Sequence, residues 1–364
     1  AAELAKMGEV LTNSQIGGRR NVVINGAMNV AQRSTSVTGL GDGDEGYVTV
    51  DRVRHTAAAS AGRFTSAQTA ISDLSGFLNC LHLDCTTADT SISSGELLKL
   101  EYRMEGQDVQ QFKKGTSDAE KITVSFYMKT NKAFTFMCEL DDRDNNRVNT
   151  QQFTTSTSFT RHVLTFAGDT TGALDDDANA SFAVGIYLHA GSDFTGGTYS
   201  ANTWQSRASS DNMRAVGIGS FYDSTDNDVK ITGLQVEIGS VATPFEHRSF
   251  GEELDLCQRY FQSYTHNGSG GGYVTNGSII SDRFYGTFRY QKQMRAIPSS
   301  FTTTNAGFNV QSAALSIGSM SIDETHNATI DSVRFRTGSN SNFTNGQGAI
   351  FRFDSGTIDI DAEL

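Results

Sequence analysis

The stretch Lys121–Lys129, KITVSFYMK, decides the fold class of this chain. Ile122, Val124, Phe126 and Met128 occupy every second position, and more polar residues stand between them. A period of two places the apolar side chains on one face of a β-strand, whereas a helix would need a period near 3.6. A strand with one apolar face must pack that face against another layer, so this stretch predicts a β-sandwich.

The same alternation recurs along the chain, at Leu98–Met104, Phe134–Leu140 and Phe182–Leu188. Turn sequences rich in Gly, Asp and Asn separate these segments, and the chain of 364 residues has 36 Gly and only 2 Pro. Such a composition is typical of short strands joined by polar turns. We therefore expect an all-β protein, with a β-bulge at Gly233, where Ile231 falls out of phase with the residues that follow.

The first 20 residues differ from the strands. Leu4, Met7 and Leu11 follow a spacing of three to four, which places them on one side of a short helix. Helices this short are marginal in water, so the helix needs a partner or is a frayed terminus. We interpret residues 1–20 as an N-terminal anchoring arm.

A second helical pattern follows the sandwich. Ser249 and Glu252 form a capping-box pair, and Leu254, Phe261 and Tyr264 then recur at helical spacing. We predict a connecting helix at 249–266 between a β-sandwich at 21–248 and a smaller C-terminal β-domain at 267–364. The glycine-rich run that begins at Asn267 marks the boundary.

Charge and cysteine content exclude several classes. The net charge is −12, from 41 acidic and 29 basic residues, and no Lys/Arg cluster is present. Nucleic acid is therefore not an expected ligand. The sequence contains no run of 18 apolar residues, so no membrane-spanning helix is predicted. The four cysteines lack metal-binding spacing, which predicts buried free thiols.

Catalytic motifs are also missing, so the chain is not expected to be an enzyme. It has no nucleophile elbow, zinc-protease motif, phosphate loop or dinucleotide-binding glycine pattern. The histidines in or beside predicted strands are interpreted as structural residues with hydrogen-bond partners.

Two kinds of site remain as hypotheses. Asp223, Asp226 and Asp228 form an oxygen-rich loop that would suit a structural Ca²⁺ ion, although polar turns without metal have the same composition. Apart from that ion, no cofactor is expected.

The second hypothetical site is a glycan-binding one. Aromatic rings on an exposed face can stack on sugars, and the candidates are Tyr187, Tyr199, Trp204 and Tyr222. The alternative for Trp204, the single Trp of the chain, is that it closes one end of the core.

Two stretches carry a resemblance to a known family. Residues 21–36, NVVINGAMNVAQRSTS, resemble the opening of a module found in bacteriophage tail-fibre and other virion appendage proteins. Residues 231–262, ITGLQVEIGSVATPFEHRSFGEELDLCQRYFQ, resemble the segment that closes the same module. Phages of marine cyanobacteria are where we expect this version of the module. In residues 21–36 we expect buried Val22 and Ile24, a turn at Asn25-Gly26, and polar contacts of Gln32 and Arg33.

The resemblance implies a jelly-roll similar to carbohydrate-binding modules. It also implies a homotrimer in the virion, held by another virion protein at the N-terminus and made in the host cytoplasm. Leu254, Phe261 and Tyr264 would then meet around the trimer axis. Two functions fit: an appendage that attaches to a host-surface glycan, or a decoration or connector with a purely structural role. A polysaccharide-degrading tail spike is less favoured, because the chain has no catalytic motif.

Overall fold

A computed structural model describes residues 19–207, 211–266, 272–312 and 315–364. The predicted arm residues Leu4, Met7 and Leu11 lie outside these ranges. The chain divides into two compact units, residues 1–254 together with Leu364 and residues 255–363. Among the described residues, no helix is long and apolar enough to cross a membrane.

The first unit contains two antiparallel sheets. Its strands are β1 (Ser36–Leu40), β2 (Gly46–Tyr47), β3 (Arg54–Ala58), β4 (Arg63–Ala70), β5 (Asn79–Thr87), β6 (Leu97–Glu105), β7 (Ile122–Thr130), β8 (Thr135–Asp142), β9 (Arg147–Thr154), β10 (Thr160–Phe166), β11 (Ala180–Ala190), β12 (Gln205–Ser206) and β13 (Asp228–Ile238). Sheet A has the order β1-β4-β5-β13-β7-β10, and sheet B has the order β12-β9-β8-β11-β6-β3-β2. A one-turn helix, α1 (Ser192–Thr195), follows β11.

The second unit is built on one sheet, sheet C. Its strands are β14 (Phe261–His266), β15 (Gly272–Ile280), β16 (Arg283–Arg289), β17 (Ser300–Ser312), β18 (Leu315–Met320), β19 (Ile322–His326), β20 (Ser332–Thr337) and β21 (Gly348–Asp361). The order is β18-β17-β21-β15-β16-β20-β19, and β14 pairs with β21. The chain is thus all-β, with a jelly-roll β-sandwich and a smaller C-terminal β-domain, as predicted.

Alternating residues of both sheets fill the sandwich core. Val124 and Phe126 of β7 and Leu100 and Ile186 of sheet B belong to one buried apolar cluster. The alternation in KITVSFYMK therefore does select the face that packs into the sandwich core. The bulge is confirmed too, because the β13–β7 register shifts between Thr232 and Gln235. Gly233 has φ 66°, a left-handed conformation that glycine adopts without strain.

The opening stretch bonds directly to the last sandwich strand. Asn21 Oδ1 accepts hydrogen bonds from the backbone N–H groups of Val23 and Val236, each at 3.0 Å, and Asn21 Nδ2 donates to Leu234 O. The Leu234 N–H donates to Gly26 O at 2.9 Å. A Cβ atom on Gly26 would lie 2.1 Å from Leu234 O, so only glycine allows this approach.

The closing segment binds the opening stretch in return. Arg248 donates to the carbonyl oxygens of Asn21 and Val23 at 2.6 and 2.8 Å. Glu246 Oε2 accepts from the backbone N–H groups of Arg20 and Asn21, both at 2.8 Å. We call the set Asn21, Asn25, Gly26, Glu246 and Arg248 the clasp, because it joins the two stretches that resemble appendage proteins.

Asn25 shapes the turn inside the clasp. Its φ is 61°, and the Met28 N–H donates to its carbonyl oxygen at 2.9 Å, so the turn at Asn25-Gly26 is confirmed. Its side-chain amide donates to the carbonyl oxygens of Val30 and Asp51 and accepts from the backbone N–H groups of Asn29 and Val30. All the polar atoms of this buried amide are therefore satisfied.

One expectation for residues 21–36 needs correction. Before β1 begins at Ser36, the described residues contain no strand, so the turn at Asn25-Gly26 lies in an irregular segment. Val23 is buried, whereas Val22 and Ile24 are half-buried. The reason is that Val22 N–H pairs with Val236 O, which directs the next side chain into the core. The polar contact of Gln32 is confirmed by its hydrogen bonds to Asp51.

The connecting helix is shorter than predicted. Helix α2 (Phe250–Cys257) begins after Ser249, whose Oγ accepts from the Glu252 N–H at 3.3 Å. Phe261–His266 is strand β14, paired with β21, so the prediction of a helix over 249–266 is wrong beyond Cys257. Pairing with a long neighbouring strand satisfies the backbone of this segment and overrides its helical spacing.

Candidate functional site

Polar side chains cover the outer face of sheet B, on the side opposite the core. Arg54, Glu101, Gly185, Glu139 and Thr150 are paired in one row across β3, β6, β11, β8 and β9. Directly paired residues share a face of a sheet, so Glu101 and Glu139 face each other across the central glycine.

Lys99 fills the space above that glycine. Its Nζ lies 2.9 Å from Glu101 Oε1 and 3.7 Å from Glu139 Oε1. A Cβ atom on Gly185 would lie 2.9 Å from Lys99 Cδ, so the missing side chain makes room for the lysine. The two carboxylates therefore share one ammonium group.

Arg214 holds Glu139 from the other side. Its Nε and Nη2 donate to Glu139 Oε2 and Oε1 at 2.6 and 2.7 Å, which is a bidentate pair. Arg207 Nη1 lies 3.2 Å from Asp141 Oδ2. We call Lys99, Glu101, Glu139, Asp141 and Arg214 the charged network.

Burial and neighbouring charges move the carboxyl pKa values apart. Burial would raise the pKa of Glu101, but Lys99 and Arg103 outweigh it and lower that pKa to about 2. Burial opposes ionisation of Glu139 as well, and Arg214 still lowers its pKa. Burial and the charge of Glu139 raise the pKa of Asp141. The network therefore contains carboxyl groups with opposite pKa shifts.

Paired carboxyl groups with separated pKa values are what glycoside hydrolysis requires. Here Glu101 and Glu139 are 2% and 0% exposed, and Lys99 occupies the position between them. A sugar that bridged the two carboxylates would have to displace Lys99 from Glu101, with which it pairs at 2.9 Å. The contacts support a role in ordering sheet B.

Two of the three predicted glycan-binding tyrosines are not available for stacking. Tyr187 is buried, its hydroxyl donates to Glu139, and Tyr222 is buried beside Phe221. The prediction is wrong for these two residues, because a buried ring has no free face. Tyr199 is half-buried and accepts a hydrogen bond from the Gln152 N–H at 2.9 Å.

Trp204 closes an end of the sandwich core, which was the alternative considered for it. The ring packs against the apolar cluster of the first unit, and its Nε1 donates to Ala167 O at 2.7 Å. The Lys114 ammonium lies 5.3 Å from the ring centroid and pairs with Asp142 and Asp169. The indole thus contacts the protein through its ring and its N–H group.

The suggested calcium loop does not bring its carboxylates together. Asp223 Oδ1 accepts from Lys132 and Asn227 at 2.7 and 2.6 Å, and the Asp228 carboxylate lies 4.0 Å from Lys230. Asp226 is exposed. Across the described ranges, no group of three or more His, Cys, Asp or Glu residues could hold a metal ion. The Ca²⁺ ion stays a prediction from sequence.

The structural interpretation is confirmed for the cysteines, His189 and His55, whereas the buried Nε2 atoms of His82 and His162 have no hydrogen-bond partner among the described residues. His189 bonds Ser220 Oγ at 2.8 Å and Glu96 Oε2 at 2.9 Å, and His55 bonds Ser66 Oγ at 3.1 Å. Burial lowers the pKa of both rings. All four cysteines are buried and free.

The residues proposed for a trimer axis do not form one stripe. Leu254 lies on α2, whereas Phe261 and Tyr264 lie on β14 with opposite side-chain directions. Phe261 is buried within its own unit. Tyr264 packs edge-on against Phe288, with 4.8 Å between the two ring centroids. The assignment of these residues to a shared helical face is therefore wrong.

The second unit contains an open cavity of about 500 Å³ beside Tyr264. It is lined by the end of β14, the start of β15, the end of β16 and part of β21. Its lining combines aromatic rings with Arg289 and Gln291, which are exposed, and with half-buried His266. Pockets of this size and mixed lining are typical of small-ligand sites. Sequence analysis did not find these residues.

Comparisons with known proteins give only distant likenesses. No protein-family model matches the chain, and no curated protein matches it in sequence. A solved tailspike domain, the enzymatically active domain of bacteriophage CBA120 tailspike protein 4, is similar over 60% of this chain and 21% of its own, with 10% identity and a TM-score of 0.29.

Carbohydrate-binding modules match this chain with similar sequence identity and TM-score. A family 11 carbohydrate-binding module from a Clostridium thermocellum cellulase matches 57% of this chain and 96% of its own, with 12% identity and a TM-score of 0.28. A second module, solved with β-1,4-galactotriose, matches 61% of this chain and all of its own, with 10% identity and a TM-score of 0.23. Scores this low do not assign the chain to a family.

Proposed function

We propose that this protein is a structural component of a phage virion, an appendage that attaches the particle to a glycan on the host surface. The observation that carries the proposal is the clasp. The two stretches that resemble appendage proteins are 195 residues or more apart in sequence, yet Asn21 and Arg248 bond them to each other. The two stretches that carry the resemblance therefore form one connected part of the fold.

The proposal includes location in the virion, assembly as a homotrimer and no enzymatic activity. Purified protein should compete with the phage that encodes it for adsorption to host cells. Lack of competition at saturating protein would reject the attachment role. Native mass measurement tests assembly, and a monodisperse monomer would reject the trimer.

A decoration or connector with a structural role is the second candidate. It is favoured by the outer face of sheet B, where the charged network and buried Tyr187 leave the sandwich without the stacking surface predicted for it. Labelled protein located on the capsid, together with no competition for host cells, would select this candidate.

A further inference from the structure

The open cavity of the second unit lies where sheet C divides. Strand β15 pairs with β16 only from Gly277 to Ile280, although β15 begins at Gly272. Strand β16 continues to Arg289, and its other edge pairs with β20 from Tyr285 to Arg289. The backbones of β14 and β15 therefore separate from the end of β16, and the cavity fills the gap.

Gln262 keeps this gap at a fixed width. Its amide is fully buried, and its Nε2 donates to the carbonyl oxygens of Gln258 and Lys292 at 2.9 and 2.7 Å. Its Oε1 accepts from the Gln291 N–H at 2.9 Å and from the Tyr264 hydroxyl at 2.7 Å. These contacts hold the end of β16 at side-chain distance from β14.

Tyr264 is fixed by the same contacts. Its hydroxyl donates to Gln262 and accepts from the Gln291 N–H at 2.7 Å, and its ring stands at 87° to Phe288. The cavity therefore has an ordered aromatic wall before any ligand binds. Preorganised walls reduce the entropy cost of binding.

His266 supplies an unused polar atom. Its Nε2 is buried and has no hydrogen-bond partner among the described residues, while its ring lies 6.0 Å from Phe353. A buried polar atom without a partner is costly, and it calls for a water or a ligand group. The ring lines the cavity, where such a group would fit.

Arg289 determines the charge of the opening. It is exposed at the end of β16, and the described residues that line the cavity include no carboxylate. A guanidinium group binds a carboxylate with two parallel hydrogen bonds. Aromatic walls with a few convergent polar groups suit the apolar faces and hydroxyls of a sugar.

We propose that this cavity binds an acidic saccharide, with Arg289 on the sugar carboxylate, His266 Nε2 on a hydroxyl and Tyr264 against the ring. The assignment rests on the proposed attachment role, and it names both the site and the class of sugar. Gln262 is a positioning residue, because it acts through Tyr264 and Gln291.

Calorimetric titration of the full chain with hyaluronan, oligogalacturonate and alginate oligosaccharides tests the proposal, with neutral cello-oligosaccharides as the comparison. We expect at least one acidic sugar to bind about tenfold or more tighter than the neutral one, and Arg289→Gln to remove that difference. Arg334→Gln, an exposed arginine of β20 with the same charge change, should bind as the unmodified chain does. Equal binding by Arg289→Gln, or binding of none of the acidic sugars, would overturn the proposal.

The variant His266→Leu distinguishes a ligand-binding role of His266 from a structural role. Replacing an unpartnered buried nitrogen by an apolar group should leave the melting temperature unchanged or raise it. Affinity for the acidic sugar should fall by about tenfold. Unchanged affinity would remove His266 from the site, and a lowered melting temperature would show that its nitrogen has a structural partner.

Measurements of host-cell adsorption distinguish a failure of the cavity assignment from a failure of the attachment role. If the chain competes with the phage and Arg289→Gln competes equally well, the cavity assignment fails and the attachment role stands. If sugar binding depends on Arg289 but the chain does not compete, the attachment role fails and the cavity assignment stands.

Discussion

The polar side chains on the outer face of sheet B differ from those at the gap in sheet C in whether they have partners within the protein. In the first unit, Lys99 and Arg214 neutralise buried Glu101 and Glu139, so the charged groups bind one another. In the second unit, His266 Nε2 has no partner among the described residues, and Arg289 is exposed. Lys99 and Arg214 thus stabilise buried carboxylates of the fold, whereas His266 and Arg289 are the groups that we propose to contact a ligand.

Removing a cation from the charged network should give the largest loss of stability. Arg214→Met leaves Glu139 fully buried without its bidentate partner, so we expect a loss of about 3–5 kcal/mol in unfolding free energy. For a unit of this size the melting temperature should fall by roughly 10 °C, measured by calorimetry. Arg214→Met with Glu139→Leu should lose less, because no unpaired charge remains. A double variant less stable than the single one would contradict the account.

The clasp should be the next most sensitive region. In Gly26→Ala the new Cβ would meet the carbonyl oxygen of Leu234, which is backbone and cannot rotate away, so unfolding free energy should fall by about 1–3 kcal/mol. Gly251→Ala is the control, because its Cβ meets nothing within 4 Å and it lies in α2. Denaturant unfolding should show no loss for the control. Equal effects of the two changes would mean that the clasp is not tightly packed.

Acid should weaken the first unit through His55. Burial lowers the pKa of this ring from 6.5 to about 4, so between these values the unfolded chain binds a proton that the folded chain does not. Stability therefore falls as pH drops through this window, by up to about 1.4 kcal/mol per pH unit for this group.

His55→Gln should reduce that slope without abolishing it. The pKa values of His82, His162 and His189 are also lowered by burial, and those rings contribute in the same direction. Unfolding free energy measured from pH 4 to 7 checks this. An identical slope in the variant would show that His55 is protonated in the fold.

Trp204 should affect stability slightly and sugar binding not at all. Trp204→Phe keeps an aromatic ring but loses the hydrogen bond to Ala167 O, so we expect a loss of about 1 kcal/mol. Titration with the sugar that the unmodified chain binds should give the same affinity. A folded variant with lost affinity would restore Trp204 as a binding residue.

Much of the sandwich could be predicted from local pattern. Period-two alternation located β7 and β11 because burial on one face constrains every second residue. The same logic failed for Val22 and Ile24, since the Val22 N–H pairs with Val236 O and directs the side chain of Val23 into the core. It failed for Phe261 and Tyr264 because their pairing partners in β21 lie 94 residues or more away in sequence.

The candidate sites were less predictable than the fold. Tyr187 and Tyr222 were chosen by residue type, but exposure depends on the packing of distant segments against them. Arg289 and His266 carry no motif, and they share a cavity only because β15 and β16 part beyond Gly277.

The central claim is that the second unit recognises sugar, whereas the first unit has a supporting role. Competition for adsorption by the unmodified chain and two variants tests this claim most directly. Host cells would be incubated with the phage and with unmodified chain, Trp204→Phe or Arg289→Gln, each confirmed as folded by calorimetry. The account predicts that the unmodified chain and Trp204→Phe block adsorption equally, whereas Arg289→Gln blocks it about tenfold less effectively. Loss of competition by Trp204→Phe with full competition by Arg289→Gln would contradict it.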